Sequence, residues 1–391
     1  MRRWTSRCSC CEHTVGWLDA TTEIWGISGR PRTKQHAVQR VPAAQGFILK
    51  GALTVAAVVT VAVASTAVAW ANQVVLLSDA RTTTALPRAD ARFGQPAPGR
   101  VLLGVVGPDP AGFDRLTGKH HTLHVMFANW AGDVAKLVEN EHAEGRLPVL
   151  SLPSSVAPAD IARGAEDARY VTLARALNAA GEDAWVRILP EMNGYWTPWC
   201  AFDQSGRSRG PRYAPSEFVR AFRRIALILR GGPIREINGK LRAAGLPPLR
   251  VGDDIERSGR VGIVWNPQGH GTPYIDANGP APYWPGPGYV DIVANDLYSD
   301  SDEPSWRGME TLYAYGKPYL VAEWGLKAED DATFASRMFE WISNHPRTIG
   351  LVYFDKGWSG GSGIFELRTK PSSLAVYRRE VRNAHFLAKL P

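Results

Sequence analysis

The feature that most constrains the fold of this chain is a series of short, almost wholly apolar segments that recur after residue 100. They are rich in β-branched residues and show no alternation of apolar and polar positions, which is typical of parallel strands buried on both faces. Helix-like segments separate them, most clearly at 168–180, 215–229 and 332–344. The predicted strands are 101–106, 122–127, 147–152, 184–189, 262–265, 289–293, 319–322 and 350–354.

Eight strand–helix units in one domain predict an α/β fold, a (β/α)8 TIM barrel, in preference to an open sheet. A doubly wound sheet that binds a dinucleotide carries three glycines directly after its first strand. Here the corresponding turn, Gly104-Val-Val-Gly107-Pro-Asp, lacks the third glycine. The sequence therefore argues against a nucleotide-binding sheet.

Three further parts precede the predicted barrel domain, which takes residues 100–391. Residues 1–47 show no clear period, and we interpret them either as a cytoplasmic leader or as the product of a start site placed too early. Residues 48–77 contain an uncharged apolar run. Residues 78–99 are rich in Pro, Ala and Thr, which is typical of a linker.

The apolar run at 51–71 predicts contact with a membrane. Its 21 residues span about 31 Å as a helix, close to the hydrocarbon thickness of a bilayer. The run is either a signal anchor (a transmembrane helix) or a signal peptide cleaved after Ala69 or Ala71, with a buried core helix as a third interpretation. Five basic and no acidic residues lie between Arg30 and Lys50, so the barrel is expected outside the cell or at its surface, secreted or membrane-anchored.

The net charge of +7 does not indicate a nucleic-acid-binding domain. Residues 1–50 carry +5 of it, which leaves the rest of the chain close to neutral. Three of the four cysteines lie at 8–11 with no second ligand pair at a zinc spacing, and Cys200 is isolated. We expect a monomer without nucleic-acid partners or internal disulfides in the barrel.

Polar and aromatic side chains collect directly after the predicted strands, where a (β/α)8 barrel carries its active site. Glu191 follows strand 4 and Glu323 follows strand 7, so both carboxyl groups can face one pocket. Cleavage of a glycosidic bond with retention requires such a pair, about 5–5.5 Å apart, with one acid protonated and one ionised. A structural ion pair is the competing interpretation of each glutamate, and core packing that of each neighbouring tryptophan.

Four segments resemble glycoside hydrolase family 26, the β-mannanase family of the large retaining (β/α)8 clan. The most specific is RILPEMNGYWTPW, from Arg187 to Trp199. The other three are WNP at 265–267, YVDIVANDLY at 289–298 and KPYLVAEWG at 317–325.

The resemblance implies that Glu191 is the general acid/base, Glu323 the nucleophile and Tyr298 a hydrogen-bond partner of the nucleophile. It also implies that tryptophans line the central subsites and that no cofactor or metal is needed. The predicted substrate-binding residues are Arg187, Asn193, Trp196, Trp199, Trp265, Asn266, Tyr298, Trp324 and Trp358.

One position departs from the family. The residue before the acid/base glutamate is usually His, but here it is Pro190, whose side chain neither donates nor accepts a hydrogen bond. In the family this histidine contacts the sugar or the nucleophile. Either another group, such as Asn193 or Gln268, supplies that contact, or the substrate differs from mannan, or hydrolysis is weak or lost.

The sequence thus predicts an endo-acting retaining β-glycosidase, with β-1,4-mannan as the leading polysaccharide substrate and other β-glucans next. The alternative is a membrane-tethered protein that binds polysaccharide or cell-envelope glycan with little or no catalysis. A metal site at His120, His121 and His124 is not expected, because they lie at the start of strand 2, away from the predicted site.

Overall fold

A computed structural model of the chain describes residues 92–127, 132–301, 303–356 and 364–391. The leader at 1–47, the apolar segment at 48–77 and the predicted linker up to residue 91 lie outside the described residues. Within the described ranges no helix is long and apolar enough to cross a membrane. The signal or transmembrane segment therefore stays a prediction.

Eight parallel strands form a closed barrel, which confirms the predicted fold class. The barrel closes because β1 pairs with both β2 and β8, with Gly104 opposite Leu123 on one side and Val352 on the other. A short ninth strand, β9, also pairs with β1 and was not expected from the sequence. The strands are β1 (Val101–Val106), β2 (Leu123–Phe127), β3 (Leu147–Leu152), β4 (Ala184–Ile188), β5 (Val261–Trp265), β6 (Ile292–Tyr298), β7 (Tyr319–Gly325), β8 (Thr348–Phe354) and β9 (Phe386–Leu387).

Helices connect seven of the eight barrel strands to the next part of the chain. They are α1 (Pro110–Thr117), α2 (Val134–Ala143), α3 (Pro158–Arg163), α4 (Asp167–Ala180), α5 (Pro215–Arg230), α6 (Ile234–Ala243), α7 (Glu303–Tyr313), α8 (Ala332–Asn344) and α9 (Pro371–Glu380). The expectation of a helix after every strand is wrong after β5, because residues 266–291, all of them described, contain only two 3-10 turns. That connection is therefore a long structured loop.

Aspartates begin several of the helices by capping free backbone N–H groups. The Asp109 and Asp331 carboxylates accept hydrogen bonds from the backbone nitrogens of Gly112 (2.7 Å) and Phe334 (2.9 Å). Such a cap satisfies a donor that has no partner within the first helical turn. It fixes where α1 and α8 start, directly after the loops that follow β1 and β7.

The apolar core has two layers, one inside the barrel and one between the barrel and the helices. Small residues make room where side chains from several strands meet inside. A Cβ atom on Gly104 would lie 2.8 Å from atoms of Leu123 and Val352. At the N-terminal end of the strands, the Trp185 indole donates to the Phe93 carbonyl at 2.7 Å, so residues from the predicted linker pack onto the barrel.

Strands β6 and β7 are longer than predicted and are irregular where they reach the pocket. The prediction placed β6 at 289–293, but it runs through Asn295 and Asp296, polar residues that are nevertheless buried. The pairing of β6 with β7 shifts register between these two residues, which aligns Asp296 with Glu323. A second shift lies between Val321 and Trp324 in the pairing of β7 with β8.

Candidate active site

The floor of the pocket is built around the buried guanidinium of Arg187, which β4 directs into the barrel mouth. Its Nη1 donates to Glu323 Oε1 at 2.6 Å and to Ser151 Oγ at 3.1 Å. Its Nη2 donates to both carboxylate oxygens of Asp296, at 2.9 and 3.1 Å. Burial alone lowers the pKa of Arg187, but the charges of Asp296 and Glu323 outweigh burial and raise it above its ordinary value. The guanidinium therefore stays charged and ties β3, β4, β6 and β7 together.

Glu323 is held by donors on both of its oxygens and is only 7% exposed. Oε1 accepts from Arg187, and Oε2 accepts from the Tyr298 hydroxyl at 2.6 Å. Burial, and then the charge of Glu323, raise the pKa of Tyr298 well above its ordinary value, so this hydroxyl keeps its proton. Charge-assisted hydrogen bonds of this kind fix a carboxylate in one orientation. The predicted contact between Tyr298 and Glu323 is present.

The turn after β4 aims Glu191 at the pocket through an unusual backbone. Leu189 and Glu191 have φ angles of 43° and 53°, in the left-handed region that non-glycine residues avoid. Each such residue costs about 1–3 kcal/mol, which contacts with the surrounding structure must offset. Here the Leu189 N–H donates to the Leu152 carbonyl (3.1 Å), and the Glu191 N–H donates to the Asn266 carbonyl (2.7 Å). Neighbouring strands thus fix the position of Glu191.

The carboxyl group of Glu191 accepts hydrogen bonds from two side chains in neighbouring loops. Trp196 Nε1 donates to Oε2 at 2.8 Å, and Gln268 Nε2 donates to Oε1. Burial, and then the nearby charge of Glu323, raise the pKa of Glu191 from 4.5 to about 7, although Trp196 and Arg187 oppose the change. At neutral pH both the protonated and the ionised forms of Glu191 are populated.

A contact of Asn193 or Gln268 with sugar or nucleophile, in place of the histidine's, stays a prediction. Gln268 contacts Glu191, the glutamate beside Pro190. Asn193, the other candidate, does not make this contact. Its buried side chain lies between two loops, where Nδ2 donates to the Gln268 carbonyl (2.9 Å) and Oδ1 accepts from the Gln268 N–H (2.7 Å). The structure thus places Asn193 behind the pocket, where it positions Gln268.

Asp296 is a central residue that the sequence-based site missed. It is buried, it pairs with Arg187, and its Oδ2 accepts from Asn266 Nδ2 at 3.0 Å. Burial, and then the charges of Glu323 and Glu191, raise the pKa of Asp296 although Arg187 opposes them. The signal in the sequence was its spacing, because Asp296 lies two residues before Tyr298 and shares its face of β6.

Asn266 supports this network from β5 and has no exposed surface. Its Oδ1 accepts from Arg187 Nε at 3.2 Å, while its amide donates to Asp296. Arg187 and Asn266, both predicted to bind substrate, are therefore covered by the carboxylates that they orient. They act on a ligand through those groups.

Two of the predicted sugar-stacking tryptophans pack in the core between barrel and helices instead. Trp324 is fully buried, stacked on Tyr377 with ring centroids 6.0 Å apart. Trp265 is also fully buried, with its ring against Trp284 (4.8 Å between centroids). Neither ring offers a face to the pocket, so for these residues the structure corrects the expectation of direct stacking.

The other three predicted tryptophans differ from one another. Trp199 is 4% exposed, and its indole donates to the Pro190 carbonyl at 3.0 Å, which supports the turn that carries Glu191. Trp196 is partly exposed and is bonded to Glu191, so it lies at the pocket. Trp358 lies outside the described residues.

The histidines near β2 take part in a structural network at the opposite end of the barrel. His120 and His121 each contact an Asp114 oxygen at 2.8 Å, and Arg146 Nη2 donates to the same carboxylate. Burial lowers the pKa of His121. Among the described residues no cluster of His, Cys, Asp and Glu has the arrangement of a metal site.

The fold and these contacts define a (β/α)8 barrel protein with a glutamate at the C-terminal end of strands 4 and 7 and an arginine between them. A Bacillus subtilis mannanase structure matches it with a TM-score of 0.50 at 18% identity, covering 76% of this chain and 90% of that one. A family 26 β-mannanase from Bacteroides ovatus has a TM-score of 0.48 at 12% identity, with coverages of 75% and 91%. The (β/α)8 barrel that the family resemblance implies is thus confirmed as the fold.

Sequence comparison gives a weaker relationship. Endoglucanase H of Acetivibrio thermocellus is 24% identical over 293 residues, which is 69% of this chain. The chain spans 28% of the length of that relative. No protein-family profile matches the sequence.

Proposed function

We propose that this protein is a retaining glycoside hydrolase of the family 26 type that cleaves β-linked polysaccharide. The observation that carries the proposal is the asymmetry between two glutamates at one pocket. Glu323 is fixed by Arg187 and Tyr298, whereas the pKa of Glu191 is raised to about 7. Two carboxyl groups whose environments differ in this way fit the two roles of a double displacement.

In the first step, Glu323 Oε attacks the anomeric carbon while protonated Glu191 donates its proton to the glycosidic oxygen. The bond from the anomeric carbon to that oxygen breaks, the leaving sugar departs as an alcohol, and a glycosyl ester forms on Glu323. Tyr298 and Arg187 hold the carboxylate in line for attack. As the ester forms, the Glu323 oxygens that accept these hydrogen bonds lose their full negative charge and keep only a partial one.

In the second step, ionised Glu191 removes a proton from water, which attacks the anomeric carbon and releases Glu323 as a carboxylate. Glu191 ends protonated and ready for the next cycle. A pKa of about 7 suits both steps, because the same group must give and take a proton at one pH.

β-1,4-Mannan is the leading proposed substrate because the strand-4 motif, Glu191-Met-Asn-Gly, is the most specific part of the family resemblance. Other β-glucans come next, since the relative from Acetivibrio thermocellus is named an endoglucanase. Gln268 in contact with Glu191, in place of a histidine before it, gives a reason to test substrates other than mannan.

A polysaccharide screen tests the proposal. Purified protein is incubated with mannan, mixed-linkage glucan and xylan, the products are weighed by mass spectrometry, and the anomer formed first is identified by NMR. Glu323→Ala and Glu191→Ala should each lose activity by roughly a thousandfold or more, whereas Glu340→Gln, an exposed change on α8, should not. An inverted first product, or full activity of Glu323→Ala, would contradict the retaining mechanism.

A glycan-binding protein without catalysis is the other outcome of that screen. It would bind the same oligosaccharides and release no product, and an activated fluoro-sugar would leave Glu323 unlabelled. Export and membrane attachment through residues 48–77 belong to the proposal too. Fractionation of the producing cells, with N-terminal sequencing of the recovered protein, tests both.

A further inference from the structure

The loop that follows β5 carries an exposed aromatic side chain next to the loop of Glu191. Tyr274 is 71% exposed, and Phe127 is the other large hydrophobic side chain in the described residues that is exposed. A ligand that covers an exposed aromatic ring gains hydrophobic stabilisation. Its neighbour His270 contacts it edge to face, with centroids 5.1 Å apart. Most of the Tyr274 side chain remains open to solvent.

The backbone places Tyr274 beside the acid/base glutamate. Gly194 and Thr272 form a parallel bridge, in which the Thr272 N–H donates to the Asn193 carbonyl and the Tyr195 N–H donates to the Thr272 carbonyl, both at 2.8 Å. Trp196 and Tyr274 each lie two residues beyond this bridge, in the same chain direction. Tyr274 and Trp196, which is bonded to Glu191, thus lie at equivalent positions on two joined loops.

This loop is held rigidly although it contains no regular helix or strand. The Asn278 amide donates to the carbonyls of Asn193 (2.8 Å) and Pro273 (3.1 Å), and the Tyr283 hydroxyl donates to Asn278 Oδ1 (2.8 Å). Gly271, with φ of 78°, permits the close approach, because a Cβ there would lie 2.1 Å from the Asn278 carbonyl oxygen. Tyr274 is therefore presented by a braced loop, as expected of a preformed binding surface.

We propose that Tyr274 stacks on a sugar unit of the leaving-group side of the substrate, two or more units from the scissile bond. The proposal rests on the proposed function. Glu191 protonates the leaving oxygen, and both of its side-chain partners, Trp196 and Gln268, come from the two loops that Thr272 joins. The departing part of the polymer must pass over these loops. A tyrosine ring suits the apolar face of a pyranose, through hydrophobic and CH–π contact.

Kinetics on substrates of different length test the subsite. Tyr274→Ala should lower kcat/KM for polysaccharide and for a β-linked hexasaccharide about 2- to 10-fold, the size expected for the loss of one aromatic contact. It should leave an aryl β-disaccharide unchanged, because an aryl leaving group ends before Tyr274. Cleavage of the hexasaccharide in ¹⁸O-labelled water should shift toward products with fewer leaving-group units. Tyr274→Phe keeps the ring and should behave as wild type, whereas Tyr274→Leu should behave as Tyr274→Ala.

Equal losses on the aryl glycoside and the polymer would overturn the subsite in favour of a structural role for the loop. Unchanged kinetics and an unchanged cleavage pattern would also overturn it. If the wild-type protein cleaves no substrate at all, the proposed function fails first and the subsite fails with it. That result is distinct, because it appears before any variant is measured.

Discussion

The replacement Glu191→Gln probes the electrostatics of the pocket without any assumption about the substrate. Burial, and then the charge of Glu323, raise the pKa of Glu191 from 4.5 to about 7. A carboxyl whose pKa is higher in the folded than in the unfolded protein binds its proton more tightly in the folded state. It therefore costs stability as pH rises from about 4.5 to 7, because folding must then bury a charge that the unfolded chain exposes to water.

The size of this effect follows from the shift. Each pKa unit corresponds to 1.36 kcal/mol, and partial exposure of Glu191 reduces the total to about 2–3 kcal/mol at pH 8. Removal of this charge should not change the free energy of unfolding of Glu191→Gln, relative to wild type, below pH 4. At pH 5.5 it should raise that free energy by about 1 kcal/mol. The new amide keeps an acceptor for Trp196, and Gln268 can turn its own carbonyl toward the new NH2. The altered hydrogen bonds thus change the free energy of unfolding only by an amount that does not depend on pH.

Urea unfolding of both proteins at 25 °C, followed by tryptophan fluorescence from pH 4 to 8.5, measures the difference in unfolding free energy. Glu340→Gln serves as the control on the exposed face of α8 and should run parallel to wild type. Parallel curves for wild type and Glu191→Gln would refute the raised pKa. If the stability gain of Glu191→Gln over wild type shrank as pH rises, the direction of the pKa shift would be refuted.

Three further changes have distinct expected results. Tyr298→Phe removes the hydrogen bond to Glu323 Oε2, so kcat/KM should fall about 10- to 100-fold with little change in urea midpoint; a loss below twofold would contradict the contact. Arg187→Met leaves buried Glu323 and Asp296 without a cation, so the free energy of unfolding at pH 8 should fall by about 3–5 kcal/mol, with a smaller loss at pH 4; equal losses at both pH values would count against the charge argument. Gln268→Met removes a donor to ionised Glu191, so its pKa should rise and the alkaline limb of the kcat/KM profile should move to higher pH; an unmoved limb would show that this hydrogen bond has no effect on the acid.

The apolar segments predicted most of the fold, and the polar residues at the strand ends predicted the two glutamates. Strands such as Val101–Val106 and Leu147–Leu152 were predicted to the residue, because a short, continuous and β-branched apolar run suits a parallel strand buried on both faces. Glu191 and Glu323 follow two such runs, and the barrel's geometry then brings them to one mouth. The sequence is sufficient wherever one residue's environment depends only on its own strand.

The prediction failed where neighbouring strands decide the direction or the burial of a side chain. Regular alternation on β7 turns Leu320 and Ala322 into the barrel and would do the same for Trp324. The register shift before Trp324 instead turns its ring outward to the helices. A β-bulge leaves no mark in the sequence of one strand. Asp296 was missed for a related reason, since a polar residue was assigned to a loop although Arg187 on another strand makes its burial possible.

On the described pocket floor, Arg187 is the one cation near three carboxyl groups, those of Glu191, Asp296 and Glu323. Burial and this crowding of carboxyl groups raise the pKa values of Glu191 and Asp296. Glycosidic bond cleavage passes through an oxocarbenium-like state, in which positive charge develops on the sugar ring. In the proposed reaction, the repulsion that contributes to the raised pKa of Glu191 is relieved as that positive charge forms. In the proposed reaction, the same repulsion thus favours the transition state over the bound substrate, which is the direction that catalysis requires.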